Sequence, residues 1–89
     1  MRIITGSARG TTLKTLPGEE TRPTAERVKE AMFSAVQFEL GDRSVLELFG
    51  GCGQLSLEAL SRGAESATIV DASRAACEII KENAVKTKL

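Results

Sequence analysis

Residues 46–54, "LELFGGCGQ", place three glycines directly after a short apolar run that contains one acid. Residues 44–49 have the composition of a buried strand, and residues 54–62 have a helical pattern that ends at Gly63. A glycine loop between a strand and its helix lets a ligand touch the backbone, because no Cβ intervenes. The stretch therefore predicts a ligand site at the carboxyl end of the strand.

The following residues extend this unit into an α/β arrangement. Residues 67–70 form a second short β-prone run that ends at Asp71, and Ser73 is placed to cap a last helix. The predicted apolar face of that helix consists of Ala76, Cys77, Ile80 and Ala84. Strand, glycine loop, helix, strand and helix is the opening of a parallel sheet with right-handed crossovers.

The segment before this unit has a different pattern. Residues 2–5 and 11–16 are predicted to be two strands of a hairpin, which is barely stable without further support. A helix is expected to start near Thr24 and to end at Gly41. Its predicted apolar stripe consists of Val28, Ala31, Met32, Ala35 and Val36.

The composition narrows the class of protein. The 89 residues carry 12 basic and 12 acidic side chains, so the net charge argues neither for nor against nucleic acid. Two cysteines without any histidine give neither a disulfide scaffold nor metal-ligand spacing, so no metal site is predicted. The sequence contains no apolar run near the roughly 20 residues of a membrane span. We therefore expect a soluble, cytoplasmic protein of one small domain.

The acid at position 47 discriminates between nucleotide-like ligands. A dinucleotide site places a pyrophosphate at the helix start, where the Glu47 carboxylate would repel it. S-adenosylmethionine instead carries an amine and a sulfonium, and its ribose suits Asp71 at the tip of the next strand. Gly51 and Gly53 are the predicted backbone contacts. A helix-capping role for Glu47, a helix-start role for Asp71 and an NAD-type domain remain alternatives.

Two longer stretches resemble one known family. "RIITGSARGTTLKTLPGEETRPTAERVKEAMFSAV" and "VLELFGGCGQLSLEALSRGA" are similar to the amino-terminal signatures of bacterial 16S rRNA guanine-N2 methyltransferases. The resemblance implies an N-terminal β-hairpin and helix, then the first β-α-β-α part of a class I, Rossmann-like methyltransferase fold, truncated. It also implies two parts: residues 1–40, which face RNA and cover the cofactor cleft, and residues 41–89, half of the cofactor-binding domain.

The resemblance assigns roles to residues at matching positions. It implies S-adenosyl-L-methionine as the cofactor and ribosomal RNA or the small ribosomal subunit as the partner. The implied cofactor-binding residues are Glu47, Phe49, Gly51, Gly53 and Asp71. The implied RNA-binding residues are Arg2, Arg9, Lys14, Arg22 and Thr24. Ordinary solubilising charges are the alternative for Arg2, Arg9 and Lys14.

The sequence departs from the family pattern at several positions, among them Glu47 in place of the usual Asp and Gly50 and Cys52 in place of the usual Ala and Ser. Gln54 and Ser56 replace an apolar residue and a glycine, and Ser56 is expected to crowd the contact between helix and strand. No proline follows Pro23, so the family's Asn/Asp-Pro-Pro-Tyr/Phe motif is absent from these 89 residues. We therefore assign no catalytic residue and expect the chain alone to be inactive, with self-association through unpaired sheet edges. A non-catalytic RNA-binding or ribosome-assembly module is the alternative function.

Overall fold

The computed structural model describes residues 1–16, 23–48 and 50–89, with the side chains of all of these except residues 23–25. Its elements are α1 (Pro23–Val36), β1 (Ser44–Leu48), α2 (Gln54–Ser61), β2 (Ser66–Val70) and α3 (Arg74–Thr87). The predicted order of strand, loop, helix, strand and helix is confirmed. The Ser73 hydroxyl caps α3 by accepting a hydrogen bond from the Ala76 amide at 3.2 Å, as expected.

The two strands form a parallel pair whose carboxyl ends lie side by side. The register runs from Ser44 opposite Ser66 to Leu48 opposite Val70. The glycine loop after β1 and Asp71 after β2 therefore emerge at the same edge of the sheet. Only one face of the pair is covered within the described residues. The expectation of a fully buried β1 was wrong, because Leu46 and Leu48 are 64% and 60% exposed.

Residues 1–16, the N-terminal ribbon, form less regular structure than the predicted hairpin. A single antiparallel bridge joins Arg2 to Thr12 in place of two full strands. Backbone hydrogen bonds from Ile3 to Thr11 (3.0 Å) and from Leu13 to Met1 (2.7 Å) continue the pairing. The ribbon stays short because its middle residues turn away and pack on the end of α2.

This turn depends on the absence of a side chain at Gly6. Its φ is +95°, and a Cβ there would collide with the Ser61 carbonyl oxygen. The close approach lets the Ser7 amide donate to that carbonyl at 2.8 Å and the Ala8 amide donate to Ser61 Oγ at 2.9 Å. Ser61 Oγ in turn donates to the Thr5 carbonyl at 2.7 Å. The ribbon is thereby fixed to α2.

The buried face of α1 differs from the predicted stripe. Val28 and Met32 are 63% and 45% exposed, whereas Lys29 and Phe33 are 3% and 5% exposed. The helix is rotated by one residue from the expected orientation, about 100°. Lys29 can turn inward because it forms a buried ion pair with Glu58 on α2. The stripe prediction was therefore wrong for all its residues except Val36, which packs against the cluster that contains Phe33.

Helix α2 supplies both hydrophobic clusters of the described core. Leu57 packs with ribbon residues in a cluster of Ile3, Ala8, Leu13 and Leu57. Ala59 packs on the other side in a cluster of Phe33, Leu40, Ala59 and Ala64. Each cluster thus combines residues from 1–40 with residues from 41–89. None of the described helices is long and apolar enough to cross a membrane.

Candidate functional site

Glu47 ends on the amino-terminal turn of α2. Its side chain is 9% exposed, and Oε1 accepts hydrogen bonds from the Ser56 amide at 3.0 Å and from Ser56 Oγ at 2.7 Å. Ser56 is the third residue of α2, so its amide is among those a helix start leaves without an intrahelical partner. The expected crowding by Ser56 does not occur, because its hydroxyl binds the carboxylate instead. Glu47 therefore has a helix-capping contact at the position predicted for cofactor binding.

The glycine loop has a left-handed backbone at two predicted contact residues. Gly51 and Gly53 have φ values of 62° and 80°. A Cβ on Gly50 would collide with the Ile69 side chain, and one on Gly53 would lie 3.4 Å from Ile80. The loop is therefore packed tightly on β2 and α3. Residues with a Cβ would be strained at positions 51 and 53.

Asp71 joins this loop to the start of α3. Its Oδ2 accepts a hydrogen bond from the Gly51 amide at 3.0 Å, and its Oδ1 accepts one from the Ser73 amide at 2.8 Å. These bonds, that from Ser73 first, lower the pKa of Asp71 below its ordinary value. A carboxylate offers about four lone-pair positions, so two amides leave acceptor capacity for further donors.

Two polar groups near the start of α2 differ in their reactivity and pairing. Gln54 Oε1 is buried and has no hydrogen-bond partner in the described part of the chain. Cys52 is buried, and this burial raises the pKa of its thiol, which disfavours the nucleophilic thiolate. Cys52 is thus a packing residue, whereas Gln54 presents an acceptor that a ligand donor could satisfy.

Asn83 on α3 connects the glycine loop to the N-terminal ribbon. Its side chain is 1% exposed. Oδ1 accepts from the Lys14 amide at 2.8 Å, while Nδ2 donates to the carbonyls of Lys14 at 2.9 Å and Cys52 at 3.0 Å. Sequence reasoning missed this residue. The sequence feature that could have indicated it is a side-chain amide four residues after Ile79, which places Asn83 on the buried face of α3.

Glu58 was also missed, and it fixes the ribbon to the helices. Its fully buried carboxylate accepts from the amides of Ile4 (2.8 Å) and Thr5 (3.1 Å). It pairs with Lys29 Nζ at 3.1 Å and Arg62 Nε at 2.9 Å. Desolvation on burial raises its pKa, but these donors and cations together hold the pKa below the ordinary value. The available signal was an acid placed directly between the apolar residues Leu57 and Ala59.

The structure separates the predicted RNA-binding residues. Arg2 and Arg9 are exposed and line one surface pocket of about 230 Å³. Lys14 is not among that pocket's lining residues, and its Nζ lies 3.1 Å from Glu82 Oε2 in an exposed ion pair. Arg22 lies outside the described residues, as do Phe49 and the side chain of Thr24.

The predicted cofactor residues within the described part converge at the carboxyl edge of the strand pair. Glu47 contacts the start of α2, and Asp71 contacts Gly51 from the neighbouring strand. The glycine loop, which includes Gly53, lies between these two carboxylates along the chain. No group of three or more metal-ligating side chains occurs among the residues that the structure describes. The edge thus combines two acids with a backbone cradle.

Comparisons with known proteins agree with this architecture. YlbH of Bacillus subtilis, whose name carries the description rRNA methyltransferase, is 42% identical over 83 residues, 93% of this chain and 45% of its own length. Ribosomal RNA small subunit methyltransferase D of Escherichia coli K12 is 38% identical over 88 residues, 99% of this chain and 44% of its own length.

Solved structures show the same fold over the whole chain. Escherichia coli YhhF superimposes with a TM-score of 0.86 at 38% identity, covering 99% of this chain and 48% of its own. Thermus thermophilus protein TTHA0928 gives 0.83 at 33% identity, covering 100% of this chain and 51% of its own. The chain thus spans about half the length of these relatives, and the predicted opening of a Rossmann-like methyltransferase fold is confirmed. A family model described as Conserved hypothetical protein 95 matches residues 1–89, and the chain belongs to that family.

Proposed function

We propose that this chain is the cofactor-holding and RNA-facing part of an S-adenosylmethionine-dependent RNA methyltransferase. The proposed substrate is the exocyclic N2 of a guanine in 16S ribosomal RNA, in the small ribosomal subunit, within the cytoplasm. Relatives named as rRNA methyltransferases support the reaction class. The observation that carries the choice of cofactor is the Glu47 carboxylate on the start of α2.

This carboxylate occupies the place where a dinucleotide would put its pyrophosphate. The start of a helix normally attracts anions, but here the Ser56 amide already donates to Glu47. Two unit charges of the same sign 4 Å apart near a protein surface repel by about 4 kcal/mol. The same interaction attracts a cationic amine or sulfonium. Glu47 thus favours a cationic methyl donor over NAD, even though it also caps the helix.

The other residues of the edge fit the rest of this cofactor. Asp71 retains acceptor capacity beyond its two amide bonds and suits ribose hydroxyls. Gln54 Oε1 is a buried acceptor that the described residues leave without a donor, so it suits an ammonium or amine group. When bound, the cofactor supplies a methyl group on a positively charged sulfur. The residues of this chain bind and orient it.

We further propose a division of labour between residues 1–40 and 41–89. The first segment covers the cofactor cleft and faces RNA, and the second holds the cofactor. The two clusters described above share residues from both segments, so these are functional parts of one packed unit. Because the 89 residues contain no Asn/Asp-Pro-Pro-Tyr/Phe tetrapeptide, the chain alone is expected to bind cofactor without transferring methyl groups.

Calorimetric titration with S-adenosylmethionine and NADH tests the cofactor proposal directly. We expect saturable binding of the first compound alone, and loss of that binding in Asp71→Ala. Glu65→Ala is the matched control, since Glu65 is an exposed acid just before the opposite end of β2. Saturable NADH binding, or unchanged cofactor affinity in Asp71→Ala, would contradict the proposal.

A non-catalytic RNA-binding module is the second candidate function. It is favoured by the arginine-lined pocket, whose lining residues belong to the ribbon and α1 and not to the glycine loop. RNA binding by the chain, with no heat of cofactor binding, would support this alternative. Methyl-donor binding that Asp71→Ala abolishes would support the methyltransferase.

We also propose that copies of the chain associate through the unpaired edges of the strand pair. Among the described residues β1 pairs with β2 alone. The strands also carry exposed apolar side chains, those of Leu46, Leu48 and Val70. Unpaired strand edges with apolar side chains favour pairing with another chain.

A further inference from the structure

The N-terminal ribbon and α1 together form a small polar pocket, which we call the ribbon pocket. Its volume is about 230 Å³, and its lining residues are Arg2, Ile3, Ile4, Arg9, Gly10 and Glu30. We propose that the ribbon pocket binds one ribose-phosphate unit of RNA. Arg2 and Arg9 bind a single phosphate together, and Glu30 accepts a hydrogen bond from the ribose 2′-hydroxyl. This inference rests on the proposed function, because it takes RNA as the partner of the chain.

The two arginines are available for a phosphate. The ion pairs found among the described residues join Lys14 to Glu82 and Glu58 to Lys29 and Arg62, and none includes Arg2, Arg9 or Glu30. The side chains of Arg2, Arg9 and Glu30 are all exposed at the surface. Two guanidiniums and one carboxylate leave a net positive charge of one in the pocket. Arginine suits this task, because its planar donors match the geometry of phosphate oxygens.

The size and lining of the pocket indicate backbone recognition. Sites for drug-sized ligands enclose about 300–1,000 Å³, so about 230 Å³ suits a single sugar-phosphate unit. The lining residues of the described chain include no aromatic side chain on which a base could stack. Contacts of this kind fix the position of a strand without reading its sequence. The ribbon pocket would therefore position RNA, leaving base recognition to other residues.

Glu30 gives the pocket a preference for RNA over DNA. An ionised carboxylate accepts hydrogen bonds but cannot donate them, and it repels a phosphate because both groups are negatively charged. The ribose 2′-hydroxyl supplies a compensating donor, and it is absent from DNA. The same repulsion therefore remains uncompensated when DNA enters the pocket.

The backbone that frames the pocket is held in place before any ligand arrives. The Arg2 carbonyl accepts a hydrogen bond from buried Lys29 Nζ at 3.1 Å. The Ile4 amide donates to Glu58 at 2.8 Å, and the Gly10 amide donates to the Ile3 carbonyl at 2.9 Å. A preorganised backbone lowers the ordering cost of binding. Both arginines therefore extend from a fixed ribbon.

Fluorescence anisotropy with a labelled single-stranded RNA, and with DNA of the same sequence, tests the proposal across a salt series. One phosphate contact contributes about 0.7 to the slope of log affinity against log salt for a single strand. Because either arginine alone still neutralises a shared phosphate, we expect little change of slope in Arg2→Ala or Arg9→Ala, and a reduction of about 0.7 in the double variant. Twice that reduction in the double variant would overturn the shared phosphate. Arg43→Ala, an exposed arginine just before β1, is the matched control.

Glu30→Gln tests the contact with the sugar. We expect the unaltered chain to bind RNA more tightly than DNA, and Glu30→Gln to bring the two affinities together, mainly by strengthening DNA binding. Equal affinities in the unaltered chain, or an unchanged ratio in Glu30→Gln, would overturn the role of Glu30. A slope in the Arg2→Ala, Arg9→Ala double variant that equals that of Arg43→Ala would overturn the pocket itself. Calorimetric binding of the methyl donor is measured separately, so either proposal can fail alone.

Discussion

Replacing Glu58 with glutamine is expected to destabilise the chain strongly, because it leaves a buried lysine without its counter-charge. Lys29 is 3% exposed, and its Nζ lies 3.1 Å from Glu58 Oε1. Removing one partner of a buried pair typically costs about 3–5 kcal/mol. A chain of this length has a free energy of unfolding of about 5–13 kcal/mol, so the loss is a large share. At about 4 °C or more per kcal/mol, the melting temperature should fall by about 12 °C or more.

Urea denaturation followed by circular dichroism measures this loss, with Glu82→Gln as the matched control. Glu82 pairs with Lys14 at the same 3.1 Å, but the two side chains are 56% and 62% exposed. An exposed pair contributes about 0–1 kcal/mol, so the control should change little. Lys29→Met combined with Glu58→Gln should cost less than the sum of the single changes, because the buried lysine charge is removed together with its partner. Equal, small losses in Glu58→Gln and Glu82→Gln would refute the reasoning.

The same structure predicts four further outcomes. Since the pKa of Glu58 is lowered on folding, its contribution to stability is complete above the ordinary carboxyl range and is lost as pH falls through the lowered value. Urea titrations at several pH values should show this loss of stability in the unaltered chain, and the Glu58→Gln variant should not show it. Gly6→Ala should cost about 1–3 kcal/mol in the same assay, whereas Gly41→Ala, with open space around it, should change little. Asn83→Ala should lower the free energy of unfolding by about 1–3 kcal/mol for each polar group left unsatisfied. It should also weaken the binding of the methyl donor measured by calorimetry, because Asn83 holds the Cys52 carbonyl of the glycine loop, and unchanged binding would contradict this role. Leu46→Lys should lower the mass seen in sedimentation, and an unchanged mass would contradict association through the strand pair.

The order of the elements was predictable because each boundary has a local chemical cause. Ser73 caps α3 through its own hydroxyl, and Gly63 ends α2 with a φ of 107°. The orientation of α1 was not predictable in this way. A hydropathy pattern assumes that charged side chains face water, but Lys29 and Glu58 neutralise each other across 29 positions of the chain. A pairing between distant segments leaves no periodic signal in either one.

The candidate site shows the same division between local and distant causes. Glu47 and Asp71 could be predicted as a pair because Glu47 lies one residue before the end of β1 and Asp71 directly follows β2, both beside the glycine loop. The hydrogen-bond partners of these two acids could not be predicted from the sequence. Ser56, for example, was expected to crowd the contact between helix and strand, but its hydroxyl donates to Glu47. Asn83 escaped notice because its partners, Lys14 and Cys52, lie 69 and 31 positions away. Acceptors and donors that meet only in the folded chain must be found in the structure.

These contacts make α2 the element that connects the proposed cofactor edge, in residues 41–89, to the ribbon, in residues 1–40. Its amino end receives Glu47 from β1 through Ser56, at the edge where the methyl donor is proposed to bind. Farther along, Glu58 and Ser61 hold the ribbon that carries the arginines of the ribbon pocket. Eight helical residues span only about 12 Å, and a helix that supplies both hydrophobic clusters has little freedom to bend. The distance between the proposed cofactor edge and the ribbon pocket is therefore set by one rigid element, and the two proposals together place the RNA strand at a fixed separation from the methyl donor.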